Sequence, residues 1–527
     1  MTRVISALAA LASLTLATAL GAQEHANPSQ ALRLGTVHFE TTCAPSVGSE
    51  FDRGIALLHS FEFGASARAF EGVIASDSTC AMAWWGIALS RWTNPMVPNI
   101  RPAAVLERGK QAVDAANRVG ARAAERERGY IAAVSQLYAD HENRDQRTRV
   151  LAYERAMSDL AARFPGDDEA KIFHAVALVG AASPTDKSYA NQLKAGAILE
   201  TLFEQQPDHP GLAHYIIHAY DVPALAARAA PAAKRYADIA PDAAHALHMP
   251  SHTFTRIGRW HESVGTNLRS MEAAERGSSI AEALHAADYA MYAYLQMRDD
   301  SAAQAIVMRL PQLAARFDPA VVGGAAPGSA GLFALAAIPA RYALERRQWR
   351  EAAALEPRPS AFPYTDGLTH FARALGAAHV GDTAKARASI DSLAAINARL
   401  TASREAYWAE QVAIQHLAAS AWLDLRAGRQ GDALKQMREA AAREDATEKA
   451  AVTPGPLAPA RELLADMLME LGSPREALGE YRASLKREPN RYRSLRGAAD
   501  AAAAAGDREA AAAYEAELQK LMERRRG

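Results

Sequence analysis

From residue 51 onward, apolar side chains recur every three or four positions, in blocks separated by short polar or glycine-bearing breaks. That is the period of helices with one buried stripe. Residues 51–90, FDRGIALLHSFEFGASARAFEGVIASDSTCAMAWWGIALS, show the unit. An amphipathic helix is predicted first, then a turn at Gly64, a second helix, a short break and a new helix beginning AMAWWG. Small residues fall where the two helices of a unit cross, and Phe70 and Trp84 take the aromatic positions. Alanine is abundant and β-branched residues are sparse, which favours helix almost throughout. Three segments interrupt the pattern. RWTNPMVPNIRP (91–102) and TPGPLAP (453–459) each carry three prolines and read as loops. AVVGGAAPGSAG (320–331) reads as a hinge between two halves or a long inter-helix loop.

The clearest unit is ARELLADMLMELGSPREALGEYRASLKREPN (460–490), with Gly472 between helices, Ala477 at the crossing, Tyr481 as the aromatic and Pro489 at the end. The next unit repeats this with Gly506, Ala510 and Tyr514, and glycine-plus-small turns recur in GRWHES, GDTAKA and AGRQGDA. This pattern resembles the tetratricopeptide repeat (TPR) family. The resemblance implies an all-α superhelical solenoid of about ten to twelve helix pairs. The expected organisation is an N-terminal segment at 23–50, a first array at 51–319, the glycine-rich break, and a second array at 332–527.

Within the first array, His214 and His218 are four apart, as are His248 and His252, and the second pair follows the first by 34 residues. Four residues place both rings of a pair on one helix face. Thirty-four is the repeat period of the resembled family. Its positional pattern puts these four rings, together with His245 and Asp221, on the concave inner surface where ligands bind. Imidazole is the commonest metal side-chain ligand, so His214, His218, His248 and His252 are candidates to hold one divalent ion. Zinc or copper is expected, with iron as the lesser choice. Asp221, His245, His285 and Asp288 are candidates for a further ligand or for orienting a ring. Pro250, in HMPSH, is expected to kink its helix. His59 and Glu62 read as an ordinary polar edge.

The remaining sequence leaves three functions open: a metalloprotein, a metal-dependent hydrolase or oxidoreductase, and a metal-free scaffold for a protein or peptide in the groove. There is no H-E-x-x-H, phosphate loop, G-x-S-x-G or C-x-x-C. The net charge of −1, with both signs interspersed, offers no basic stripe for nucleic acid. Residues 1–22, MTRVISALAALASLTLATALGA, read as a cleaved signal peptide, so a periplasmic or secreted protein with no membrane span is expected. The two cysteines, Cys43 and Cys80, are then expected to form a disulfide. HMPSH followed by a G-R-W turn also resembles a group of exported bacterial TPR proteins with no assigned activity.

Overall fold

An amphipathic helix needs a neighbour to cover its apolar stripe, and in this chain the neighbour is mostly the next helix in sequence or the one after it. The computed structural model describes residues 32–96, 100–183, 185–321 and 323–523. From Arg33 on, these residues form twelve consecutive helix pairs, with no strand among them. The architecture is an all-α superhelical solenoid of TPR-like pairs. The signal-peptide reading falls on residues 1–22, outside the described residues.

The turn glycines of the repeat pattern carry its geometry. Gly258, Gly381, Gly428, Gly472 and Gly506 have φ between 67° and 83°, a region open to glycine and costly for other residues. The aromatic of a second helix then lies flat on a glycine of the following pair. A Cβ on Gly497 would come within 2.3 Å of the Tyr481 ring, and one on Gly86 within 2.4 Å of Phe70. Two expectations for the first unit change. Gly64 lies inside helix Phe63–Ser76, and the turn residue is Phe61, at φ 55°. Trp84 is only partly buried, and Trp85 and Trp92 are the buried tryptophans of helix Ala81–Trp92.

The segment after Arg33 straps the array from outside the pairs. Thr36 N donates to Asp208 O at 2.9 Å, Arg33 pairs with Asp242 at 3.0 Å, and Phe39 packs among Phe51, Trp85 and Tyr130. Its end is stapled by the Cys43–Cys80 disulfide. The array also coils tightly enough that helix Gly48–His59 of the first pair touches helix Pro210–Ala219 of the fifth. The loop after helix Gln430–Ala446 turns inward: Lys449 reaches Asp221, and Gly455 O accepts from Arg341. In the glycine-rich break, Gly323 O accepts from Gly64 N and Ala326 N donates to Glu282. Its last four residues are helical, because helix Gly328–Glu345 starts directly behind Pro327.

Candidate metal centre

Three successive first helices supply the histidines. Pro210–Ala219 carries His214 and His218. Ala244–His248 continues after a break into Pro250–Arg256, and together they carry His245, His248 and His252. Ile280–Gln296 carries His285. Pro250 has no N–H to give, so the helix is interrupted at Met249, as the sequence predicts. Two groups of three result: His214, His218 and His245, and His248, His252 and His285, each with one ligand nitrogen per ring within 4.8 Å of the others. The groups adjoin. Ring centroids are 6.1 Å apart for His218–His252 and 6.0 Å for His245–His248.

Hydrogen bonds fix which nitrogen is bare in four of the six rings. His214 Nδ1 donates to His59 O at 2.6 Å, and its Nε2 is buried without a partner. His245 Nδ1 donates to Glu282 Oε1 at 3.0 Å, and its Nε2 is likewise unpartnered, as are His218 Nε2 and His285 Nδ1. Asn267 spends its Nδ2 on Ser263 O at 2.6 Å, so its Oδ1 accepts from His248 Nδ1 at 2.7 Å. His252 Nδ1 donates to Asp221 Oδ2 at 2.9 Å. With both Nδ1 atoms protonated, the bare Nε2 atoms of neutral His248 and His252 face each other at 3.0 Å.

Burial sets the electrostatics. It lowers His214, His252 and His285 well below the ordinary imidazole range, His218 to about 3 and His248 to about 4. Neutral rings are the metal-binding form. Burial alone would raise Asp221, but Lys449 at 3.1 Å, Arg256 at 2.8 Å and the His252 bond outweigh it and hold the carboxyl well below its usual range. Lys449 is itself lowered to about 8 by burial, and Glu62 is raised to about 7, first by burial and then by Glu282.

A pocket lies on the far side of the Asp221 contacts. Its empty space, open mouth included, is about 820 Å³, and Arg256, Arg341, Tyr407, Trp408, Lys449 and Arg487 are among its walls. Lys449 and Arg256 therefore face the pocket while holding the carboxylate that orients His252. Tyr289 stacks on His252 at 4.8 Å and donates to the carbonyls of Ala451 and Thr453, which closes the cluster on that side.

The four histidines singled out by spacing are thus neighbours, but they divide between the two groups, and His245 and His285 complete them. Asp221 orients a ring. Asp288 is not brought in: it is three residues beyond His285 on the helix, turned toward helix Gly328–Glu345, where Arg341 binds it at 3.0 Å. The rings do not line an open, solvated groove, because the first pair and the 447–456 loop cover the inner surface and leave His214 and His248 0% exposed. His59 is no polar edge either. It is fully buried, and its side chain joins Glu169 and His209 in a third cluster, with contacts of 3.0 and 3.1 Å to Glu169. Sequence reasoning missed Glu282, although it follows His248 by the same 34 residues that separate His248 from His214, and it missed Asn267 and Lys449, which have no spacing relation to the histidines. It also missed Phe61, whose ring lies 4.4 Å from His214 and 5.7 Å from His245.

No family model matches the sequence, and no curated protein matches it by sequence. Among solved structures, the chain is similar to the human IFIT1 dimer with m7Gppp-AAAA, at 11% identity over 84% of this chain and 90% of that one, TM-score 0.40. It is also similar to Ypp1, at 8% identity over 91% and 81% of the two chains, TM-score 0.47. Yeast Tom70 matches at 11% identity over 88% and 96%, TM-score 0.33.

Proposed function

We propose that this chain is an exported metal-binding protein of TPR-like architecture, with its metal held by imidazoles inside the superhelix and a ligand taken into the adjoining pocket. One observation carries the reading. Six rings converge, five of them buried, and the inward nitrogens, apart from the facing His248–His252 pair, have no partners; in His214, His245, His248 and His252 the outer nitrogen carries the proton, which leaves the inward one bare. A buried polar atom left unpaired costs roughly 1–3 kcal/mol, and two facing lone pairs add repulsion. A bound cation removes both costs, and the outer nitrogens of His214, His245, His248 and His252 are already anchored as metal-ligating histidines usually are. Export is supported by the pattern of residues 1–22 and by the disulfide.

The test is elemental analysis of protein purified from its native compartment, beside the double variant His218→Ala/His252→Ala. Stoichiometric metal in the native chain and its loss in the variant, with helical circular dichroism unchanged, is the expected result. Equal metal in both proteins, or none in the native chain, refutes the reading. A metal-free scaffold then remains, and the open pocket walled by Arg256, Lys449, Arg487, Tyr407 and Trp408 favours it as the second reading. Its occupant is a protein or peptide segment, detected by co-purification with the metal-free double variant.

A further inference from the structure

Each group of three is built in the same way. An i, i+4 pair on one first helix, His214 with His218 or His248 with His252, is completed by one histidine of the next first helix, His245 or His285. The pairs are 34 residues apart. The repeat that duplicates the helix has duplicated the pair, and the third imidazole of each group comes from a different position on the next first helix, the second residue for His245 and the sixth for His285. Three nitrogens bound to one ion at about 2.0–2.1 Å lie roughly 3.5 Å from each other in a trigonal arrangement. Ligand atoms already within 4.8 Å reach that by small ring rotations. The separation of rings between the groups, 6.0 to 6.1 Å, is no greater than the widest within them, 6.3 and 6.4 Å. Two ions can sit side by side.

We propose that the cluster holds two copper ions, in the cuprous state, each on three imidazoles; this rests on the metal-binding reading above. Donor chemistry and charge select the metal. No carboxylate belongs to either group, since Asp221 and Glu282 bind the outer nitrogens of His252 and His245. An all-imidazole, three-coordinate set suits copper, whereas hard cations require oxygen ligands. Asp221 alone faces two cations, Arg256 and Lys449. Glu282 and Glu62 instead meet His245 and backbone N–H groups. Among the described residues, neither is in an ion pair with lysine or arginine. Counting Asp221, Glu282 and Glu62 against Arg256 and Lys449, the fixed charge around the rings is no more negative than about −1, so two monovalent ions leave far less uncompensated positive charge in the buried site than two divalent ions.

The experiment is an anaerobic titration of the metal-free full chain with cuprous ion against a coloured cuprous chelator, repeated with His214→Ala and His285→Ala and then with zinc. The expected result is two equivalents of copper for the native chain, one for each variant, and at most weak zinc binding. One equivalent in the native chain, or loss of both equivalents in either correctly folded variant, overturns the pair while leaving a mononuclear metal site standing. Two equivalents of zinc with no copper overturns the choice of metal. No binding of either ion overturns the underlying metal reading as well. The native-chain stoichiometry decides the pair even where a variant fails to fold.

Discussion

Asn267 is where a single substitution speaks most directly to the site. It touches no bare nitrogen, yet it alone sets the tautomer of His248: its Nδ2 is committed to Ser263 O at 2.6 Å, leaving Oδ1 to accept from His248 Nδ1 at 2.7 Å. Asn267→Leu is close in volume and removes the acceptor. The His248 Nδ1–H is then buried unpaired, and the ring escapes this by turning over or moving its proton to Nε2, which withdraws the metal-binding lone pair. Removing such an orienting partner typically weakens metal binding 10- to 100-fold, about 1.4–2.8 kcal/mol. Asn267→Asp keeps an acceptor at the same place and should hold affinity within a few-fold of native. Competition against a chelator of known affinity, on the metal-free chain, measures all three proteins. The reasoning is refuted if Asn267→Leu binds as tightly as the native chain, or if leucine and aspartate weaken binding alike.

Other outcomes follow from packing and burial. Gly86→Ala would put a Cβ 2.4 Å from the Phe70 ring, so urea unfolding should show a loss of about 1–3 kcal/mol, partly restored by adding Phe70→Leu. Replacing Cys43 and Cys80 by serine opens a link spanning 37 residues and should cost about 4 kcal/mol of local stability, read by hydrogen exchange in the first pair. Glu444 is raised from 4.5 to about 8 by burial. Its folded form binds the proton more tightly than the unfolded form, so its own contribution to stability is full below about pH 4.5 and is lost as pH rises from about 4.5 to about 8. The slope is at most about 1.4 kcal/mol per unit. Glu444→Gln should flatten the urea midpoint between pH 5 and 8, and an unchanged slope would contradict this.

The repeat architecture was legible because its determinants are local. Glycine at positive φ, a small residue at the crossing and an aromatic seated on the next pair's glycine each leave a mark at fixed spacing, as at Gly472, Ala477 and Tyr481. The i, i+4 histidines at a 34-residue offset were legible for the same reason. Their partition into two groups was not, because it depends on His285, whose helix begins 36 residues after Ala244 instead of 34. The burial of the cluster was also hidden. It arises from contacts between residues far apart in sequence, such as His59 with His214 and Lys449 with Asp221, which follow from how tightly the solenoid coils. Phe61, three residues before Gly64, takes the left-handed turn position itself and packs its ring against the histidines, which no local pattern marks.

The most direct test is anomalous diffraction from crystals of natively purified protein, with data collected on both sides of the absorption edge of the metal found by elemental analysis. The expected map has density at bonding distance, about 2.0–2.1 Å, from the inward nitrogens of His214, His218 and His245, of His248, His252 and His285, or of both groups. A map with no anomalous density among these six rings, or with the metal bound only elsewhere on the chain, contradicts the claim that the interior of this solenoid is a metal centre.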